Sequence, residues 1–310
     1  MKVLIVCSGT KGNLSPFIKD QIDALSKLGI DLSLFQIKKR GLLGYLLHLK
    51  ALRRTIKQVR PDLIHAHFGL SGLLANMQFT VPVVTTFHGC DINNVRLLKY
   101  SKWADKLSEA SIFVEEGMLQ KVRKHEKHVI IPCGVVTSVF YPVSKPEASR
   151  KIGINLDNIN IVFSSAFTSI VKNPQLAKKS CDKAEIMIRC KINLIELKGY
   201  TRDQVNLLMN ASDCVLLTSF SEGSPQLIKE AMACNCPIVA TNVGDIKWLL
   251  GNTAGCFITN FSTEDVAEKI KKALEFGRKT NGRDRIIELG LDSETTAKKI
   301  IKVYQKVLNK

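Results

Sequence analysis

The chain has 310 residues, of which 45% are hydrophobic and 24% are charged, and these fractions exclude a disordered or fibrous protein. No apolar run approaches the roughly 20 residues that a membrane-spanning helix needs. The formal net charge of +17 favours anionic partners, namely nucleotides, nucleic acid or an acidic membrane surface. The nine cysteines are odd in number and scattered, which indicates reduced thiols in a cytoplasmic protein and makes a metal cluster improbable.

Strands alternate with helices along the first part of the chain. The segment from Lys2 to Ser8 is a predicted strand that leads into a glycine-containing loop, and Ser15-Pro16 begins a helix that ends near Leu28-Gly29. Further strands are predicted over residues 31–37, 62–67, 82–87, 111–114 and 128–132, and helices over residues 42–59 and 97–106. This alternation is typical of a parallel, doubly wound sheet.

A break in the pattern separates two predicted domains, residues 1–142 and residues 143–310. Residues 139–146 contain two prolines and no hydrophobic periodicity, so the linker is predicted there. Beyond it, strands are predicted over residues 160–165, 192–197, 214–217, 237–241 and 256–259, and helices over residues 174–183, 201–210, 262–276 and 293–308. Ligands of doubly wound sheets bind at the carboxyl ends of the strands, so we expect a site in a cleft between the domains.

The stretch from Thr218 to Ala233 joins a buried strand, a glycine turn and the start of a helix. Ser224 is the predicted N-cap and Pro225 the first helical residue, which directs backbone N–H groups toward a ligand above the strand and suits phosphate. Two carboxylates, Glu222 and Glu230, flank that position. An isolated pair of glutamates would be read as a solvated surface, so the surrounding sequence decides their interpretation.

That surrounding sequence resembles the signature of glycosyltransferase family 4, whose members are retaining enzymes of the GT-B fold. The resemblance rests on residues 222–225 (Glu-Gly-Ser-Pro), 230–233 (Glu-Ala-Met-Ala), 237–241 and 244–245, and it extends to residues 61–67, 86–89 and 131–142. It implies an α/β protein with two Rossmann-like doubly wound domains facing across a cleft and a C-terminal helix that crosses back to the first domain. Residues 1–142 then form the acceptor side, and residues 143–310 bind the nucleotide sugar.

The resemblance also implies a role for individual residues. Glu222 lies near the hydroxyls of the donor sugar, Glu230 holds the ribose, and Lys172 neutralises the diphosphate leaving group. His88, in a loop after a strand, corresponds to a histidine beside the donor sugar. The other implied donor-binding residues are Gly12, Gly223, Ser224, Pro225 and Gln226.

The chain departs from the family pattern at Phe167, where the family usually has an arginine five residues before the lysine. We therefore expect diphosphate binding to depend more heavily on Lys172 and helix-end amides, or on another basic residue. His65 and His67 alternate on a predicted strand, which favours core or cleft-wall positions over metal ligation. No Asp-x-Asp pair occurs in the sequence, so we expect transfer without a metal ion or any other cofactor.

Residues 42–60 interleave leucines with lysines and arginines, a pattern that allows contact with an anionic membrane although packing on the sheet is its expected main role. The predicted function is transfer of a sugar from a nucleotide-diphosphate donor to a hydroxyl of a saccharide or lipid-linked acceptor, in the cytoplasm at the inner face of the membrane and in bacterial surface-polysaccharide synthesis. Two alternatives stay open: a nucleotide-sugar epimerase of the same fold, and a catalytically silent subunit that binds a nucleotide sugar. Nucleic acid is not an expected partner, because stacking aromatic residues are sparse.

Overall fold

The computed structural model describes residues 1–9, 14–38, 41–122 and 124–309, with the backbone alone for residues 41–43. The chain forms two compact units. Unit 1 comprises Met1–Gly134 together with Ser293–Lys310, and unit 2 comprises Val135–Asp292. Within the described residues, no helix combines the length and the apolar character that crossing a membrane requires.

Unit 1 contains a parallel sheet whose six strands follow the order β2-β1-β3-β4-β5-β6 among the described residues. The strands are β1 Lys2–Ser8, β2 Asp31–Ile37, β3 Leu63–His67, β4 Val83–Phe87, β5 Ala110–Phe113 and β6 His128–Ile130. The helices are α1 Pro16–Lys27, α2 Gly41–Leu46, α3 Leu49–Val59, α4 Gly69–Asn76, α5 Cys90–Asn93, α6 Val95–Leu107 and, from the end of the chain, α14 Ser293–Leu308, with a 3₁₀ turn at Glu116–Lys121.

Unit 2 contains a second parallel sheet, which has the order β11-β10-β9-β7-β8 in the part of the chain that is described. Its strands are β7 Ile159–Phe163, β8 Ile192–Glu196, β9 Cys214–Leu217, β10 Ile238–Thr241 and β11 Cys256–Thr259. Its helices are α7 Lys145–Ile152, α8 Pro174–Ile188, α9 Arg202–Ala211, α10 Gln226–Ala233, α11 Ile246–Leu250, α12 Thr263–Phe276 and α13 Gly282–Glu288, with a 3₁₀ turn at Ile170–Lys172.

Both sheets place their first strand between the second and the third. The order of the winding therefore reverses between β1 and β3 in unit 1, and between β7 and β9 in unit 2. At such a switch point the loops leave adjacent strands in opposite directions and open a crevice at the carboxyl edge of the sheet. The predicted fold class, two doubly wound parallel-sheet domains, is confirmed.

Successive side chains of β1 point to opposite faces of the sheet, so this strand contributes to two hydrophobic clusters. Val3 and Ile5 pack on the face covered by α1 and α14, whereas Leu4 and Val6 pack on the face covered by α3 and α4. All four side chains are fully buried, as expected for a parallel strand with both faces covered.

The C-terminal helix α14 belongs to unit 1, as the resemblance implied. Its buried residues Ala297, Ile300, Val303 and Tyr304 join the same hydrophobic cluster as Val3. The helix has the predicted bounds, because its apolar residues recur at helical spacing and so form one continuous stripe.

The predicted boundary between residues 142 and 143 differs from the division between the units, which falls after Gly134. Residues 135–142 pack with unit 2 because Phe140 is buried in its core. The guanidinium of Arg283 donates to the carbonyls of Thr137 (2.9 Å) and Phe140 (2.8 Å), which fixes this segment further.

The single helix predicted over residues 42–59 is wrong, since the structure has α2 and α3 there with a turn between them. The backbone N–H of His48 bonds to the Tyr45 carbonyl, and the His48 Nδ1 atom lies 2.8 Å from the Gly44 carbonyl oxygen. This tighter turn replaces the regular helical hydrogen bonds. Helices α4, α5, α7, α11 and α13 had not been predicted, and each is short.

Candidate functional site

Two loops meet at the switch point of unit 2. The first follows β7 and ends in the 3₁₀ turn Ile170–Lys172, and the second follows β9 and leads to α10. The Thr218 hydroxyl lies 3.0 Å from the Lys172 carbonyl oxygen and 2.9 Å from that of Asn173, while the Phe220 N–H donates to the Val171 carbonyl at 2.9 Å. These bonds fix the backbone that carries Lys172 to the end of β9.

The turn after Lys172 has the geometry of a helix start. Asn173 adopts a left-handed conformation (φ 51°, ψ 58°), and its side-chain oxygen accepts from the Leu176 N–H at the beginning of α8. Pro174 occupies the first helical position, where the missing N–H costs nothing. Lys172 therefore lies immediately before the N-cap of α8, beside the amino terminus of that helix.

Lys172 and Glu222 form an ion pair at this switch point. The Lys172 Nζ atom lies 2.5 Å from the Glu222 Oε1 atom, and the side chains are 26% and 12% exposed. Sequence reasoning had given the two residues separate tasks, and the structure brings them into direct contact. A cation and a carboxylate at the carboxyl edge of a parallel sheet can together meet a ligand that has both phosphates and hydroxyls.

Gly223, in the loop that carries Glu222, lies in close contact with the backbone of Gly244. The Gly223 carbonyl accepts from the Asp245 N–H at 3.1 Å. Gly244 has φ +58°, and a Cβ atom at this position would lie 2.0 Å from the Gly223 oxygen. Only glycine allows this close approach, which explains the glycine of the Gly244-Asp245 pair that follows β10.

Helix α10 begins one residue later than predicted, because Pro225 has extended ψ (118°) and is the N-cap itself. Ser224 is therefore not the cap, and the prediction was wrong on this point. Its hydroxyl instead accepts a hydrogen bond from the Lys229 Nζ atom at 3.0 Å. Lys229 is fully buried, so its amino group lies beneath the loop. Glu230 follows on α10 and is partly buried, and Gln226 is its first residue.

Phe167 fills its position with a partly buried aromatic ring that packs against the hydrophobic core. The ring stacks on Phe163 (centroid distance 5.4 Å), and the Lys178 Nζ atom lies 4.4 Å from its centroid. Its backbone N–H donates to the Glu196 carboxylate at 2.8 Å. The cation that approaches this position is thus a lysine on α8, which sequence reasoning did not single out.

In unit 1, His88 directly follows β4 and sits on a loop held by one carboxylate. Asp91 accepts hydrogen bonds from the backbone N–H groups of Gly69, His88 and Gly89, each at 3.0 Å. Gly89 has φ +102°, a conformation that glycine adopts without strain. Burial raises the pKa of the Asp91 carboxyl to about 6, although these N–H donors and the N–H of Asp91 itself act in the opposite direction.

The His88 imidazole contacts a second histidine and a cysteine. Its Nε2 atom lies 3.0 Å from His67 Nδ1, and its Nδ1 atom lies 3.6 Å from Cys133 Sγ. The rings of Phe17 and Phe68 pack against it with centroid distances of 4.8 and 4.6 Å. The ring is thus enclosed by aromatic and polar neighbours at the carboxyl edge of the sheet.

His65 and His67 are fully buried core residues of β3, as expected. His65 Nδ1 lies 2.5 Å from the Tyr304 hydroxyl, and His65 Nε2 lies 2.7 Å from the Thr86 hydroxyl. Burial holds the pKa of His65 well below its ordinary value and lowers that of His67 to about 3. Both rings are therefore neutral at physiological pH.

Besides Lys178 and Lys229, sequence reasoning missed Thr218, Asp91 and Cys133. Asp91 had a signal, because an aspartate two residues after a glycine turn commonly accepts from the backbone of that turn. Thr218 and Cys133 had none, since their contacts come from distant parts of the chain. Among the described residues, no group of three or more histidine, cysteine, aspartate or glutamate side chains is arranged to hold a metal ion. Gly12, a predicted donor-binding residue, lies outside the described residues.

Comparisons with known proteins match both units. Residues 2–139 match the sequence profile described as Glycosyltransferase Family 4, and residues 169–275 match that of Glycosyl transferases group 1. A similar protein is TuaC of Bacillus subtilis (strain 168), a glycosyltransferase assigned by its name to teichuronic acid biosynthesis, with 27% identity over 252 residues. That match covers 72% of this chain and 64% of TuaC, so the chain spans less than two thirds of that relative.

Solved structures of similar fold cover the full length of the chain. Sucrose-phosphate synthase from Thermosynechococcus elongatus superposes with a TM-score of 0.83 at 15% identity, covering 100% of both chains. Anabaena Alr3699/HepE, solved in complex with UDP-glucose, superposes with a TM-score of 0.74 at 17% identity and covers 99% of this chain and 100% of its own. At these identities the likeness concerns the fold.

Proposed function

Because the chain belongs to the family 4 glycosyltransferases of GT-B type, we propose that it moves a sugar from a nucleoside-diphosphate sugar to a hydroxyl of an acceptor. The Lys172–Glu222 pair at the switch point of unit 2 carries this proposal. Its members are only partly exposed, and the backbone beneath them is fixed by Thr218 and by the Gly223–Gly244 contact. The site is thus organised before a ligand arrives, which is what electrostatic catalysis requires.

In this proposal the Lys172 ammonium stabilises the negative charge that grows on the departing diphosphate. Glu222 accepts hydrogen bonds from hydroxyls of the donor sugar, and Glu230 accepts them from the ribose. The amino termini of α8 and α10 add positive potential near the phosphates. UDP-glucose, seen with HepE, is the first donor to test.

We propose that transfer retains the anomeric configuration and needs no metal ion, with the charge on the leaving group balanced by Lys172 and the helix termini. We also propose that His88 contacts the donor sugar. Stereochemistry is measured by following the anomeric proton of the product by NMR. Metal independence is measured by comparing rates with and without a chelator.

A saccharide or lipid-linked acceptor fits the charge distribution of α3. Its buried residues Leu52 and Ile56 face the sheet, while Lys50, Arg54 and Lys57 are exposed on the other side. Leu47, just before this helix, is 62% exposed. We propose that this basic surface brings the protein to the anionic inner face of a bacterial membrane, in surface-polysaccharide synthesis. Sedimentation with anionic and with neutral vesicles tests that contact.

The central experiment incubates the protein with a panel of nucleotide sugars and follows free nucleoside diphosphate, with and without saccharide acceptors. Release that depends on an acceptor supports transfer. Interconversion of the donor sugar without release indicates the epimerase alternative. Binding of a donor with neither reaction indicates the silent subunit, an alternative that the apolar packing of Phe167 supports. No binding of any donor rejects all three.

A further inference from the structure

Three imidazoles form a continuous stack at the carboxyl edge of the unit 1 sheet. The ring centroids of His65 and His67 are 4.5 Å apart, and those of His67 and His88 are 5.2 Å apart. The stack arises because His67 ends β3 opposite Thr86 of β4, and His88 comes two residues after Thr86, directly after the end of β4. The proposed function uses His88 alone, which leaves the other two rings to be explained.

His65 has a structural explanation within the core. Both of its ring nitrogens have hydroxyl partners, Tyr304 at 2.5 Å and Thr86 at 2.7 Å. The first of these partners lies on α14, so His65 helps to fasten that helix to the sheet. A buried polar ring with both nitrogens bonded stabilises the fold, and no further role is needed to account for it.

His67 differs from His65 although both are fully buried on the same strand. Its Nδ1 atom bonds His88 Nε2 at 3.0 Å, whereas its Nε2 atom is buried without a hydrogen-bond partner among the described residues. A buried polar atom without a partner destabilises a fold. Packing alone would therefore favour an apolar side chain at this position, and the contact with His88 is what the imidazole provides.

That contact couples the tautomer of His88 to that of His67. Burial keeps the His67 ring neutral, so a single proton lies between His67 Nδ1 and His88 Nε2. If His67 donates, His88 carries its proton on Nδ1 and directs it toward Cys133; if His88 donates, its Nδ1 atom accepts from the Cys133 thiol. In either arrangement His67 selects one tautomer and one ring orientation of His88.

We propose that His67 is a positioning residue that holds the His88 imidazole in one tautomer and one orientation for its contact with the donor sugar. This inference rests on the role of His88 in the proposed function. Asp91 fixes the backbone of the same residue through the His88 and Gly89 N–H groups. Ring and backbone of His88 are thus held by two different buried side chains from two different elements.

The test compares three variants with the wild type in the full-length protein. His67→Phe keeps an aromatic ring but removes Nδ1, and His67→Asn places an amide near the position of Nδ1. The matched control is His65→Phe, which changes a ring of the same strand and the same burial that does not bond His88. For each variant, ¹⁵N NMR of the histidine rings reports the tautomer of His88, and kinetics with a nucleotide sugar give kcat and KM.

We expect His67→Phe to convert the His88 ¹⁵N signals from those of one tautomer to those of a mixture, and to lower kcat about tenfold with a smaller effect on KM. His67→Asn restores most of both properties. His65→Phe lowers thermal stability and leaves the His88 signals unchanged. If the phenylalanine variant does not fold, His67→Leu makes the same comparison with a smaller side chain.

Unchanged His88 signals in His67→Phe would overturn the inference, as would the same change in His65→Phe, because the effect would then come from general disturbance of β3. His88→Ala separates this result from the proposed function. Full transfer activity in His88→Ala rejects the role of His88 in catalysis, whereas the NMR comparison still decides whether His67 sets its tautomer.

Discussion

Replacing Lys172 with glutamine removes the positive charge at the switch point of unit 2 and retains most of the side-chain volume. The lysine contacts Glu222 at 2.5 Å and is 26% exposed, so the charge lies in a partly dehydrated position. We expect this change to lower kcat strongly, because charge on the leaving diphosphate increases as the bond to the sugar breaks.

The size of the effect follows from Coulomb's law. About half a unit charge developing roughly 4 Å from the ammonium, at an effective dielectric constant of about 20, corresponds to about 2 kcal/mol of transition-state stabilisation. That free energy is equivalent to about a 30-fold decrease in kcat. A partly exposed ion pair contributes no more than about 1 kcal/mol to folding, so thermal stability should change by only a few degrees.

The assay measures release of nucleoside diphosphate at saturating donor and acceptor for the wild type, Lys172→Gln and Lys172→Arg. The arginine variant keeps the charge and should recover most of the activity. The double variant Lys172→Gln/Glu222→Gln separates the loss of the catalytic charge from the cost of leaving the Glu222 carboxylate without its lysine. A kcat for Lys172→Gln within threefold of the wild type would refute the assignment of the leaving-group charge to this lysine.

Three further predictions concern the supports of the two sites. Because the pKa of Asp91 is raised to about 6, the folded protein binds this proton more tightly than the unfolded chain, so the group's contribution to stability is full below about pH 4 and is lost as the pH rises through 6. In chemical denaturation, the free energy of unfolding of the wild type should fall by about 2 kcal/mol more than that of Asp91→Asn between pH 4.5 and pH 7. Equal decreases in the two proteins would contradict this prediction. Gly244→Ala should displace Gly223 and weaken donor binding at least tenfold by calorimetry, and unaltered affinity excludes the proposed support. Tyr304→Phe removes the hydroxyl that bonds His65 and should lower the free energy of unfolding by about 1–3 kcal/mol, whereas an unchanged denaturation midpoint shows that the bond contributes nothing.

Much of the fold could be predicted because its strands are continuous apolar runs bounded by glycine, proline or caps. The predictions for residues 2–8, 31–37, 214–217 and 256–259 match the observed strands, and the Ser262 cap and the Thr201 capping box mark the starts of α12 and α9. The helices that were not predicted are short, and their amino-acid composition resembles that of loops. Helix α4 is an example, since it follows a positive-φ phenylalanine, Phe68, that no local pattern indicates.

The residues of the candidate site could be predicted, whereas the contacts between them could not. The motif placed Lys172 and Glu222 near one ligand, but their direct ion pair depends on Thr218, which draws together loops more than forty residues apart. The boundary between the two units, after Gly134, also could not be predicted from local sequence patterns. Val135 and Phe140 look like part of a linker in the sequence, and only tertiary packing places them in the core of unit 2.

The return of α14 to unit 1 determines the order in which the chain can acquire its structure during synthesis. Unit 2 is made of one uninterrupted segment, whereas the core around Val3 and Ile5 needs Ile300 and Tyr304. At about 5–20 residues per second, the ribosome takes roughly 10 to 30 s to make the intervening unit. The first sheet to be translated is thus the last to be completed, because α1 covers only part of its apolar face until α14 has been made.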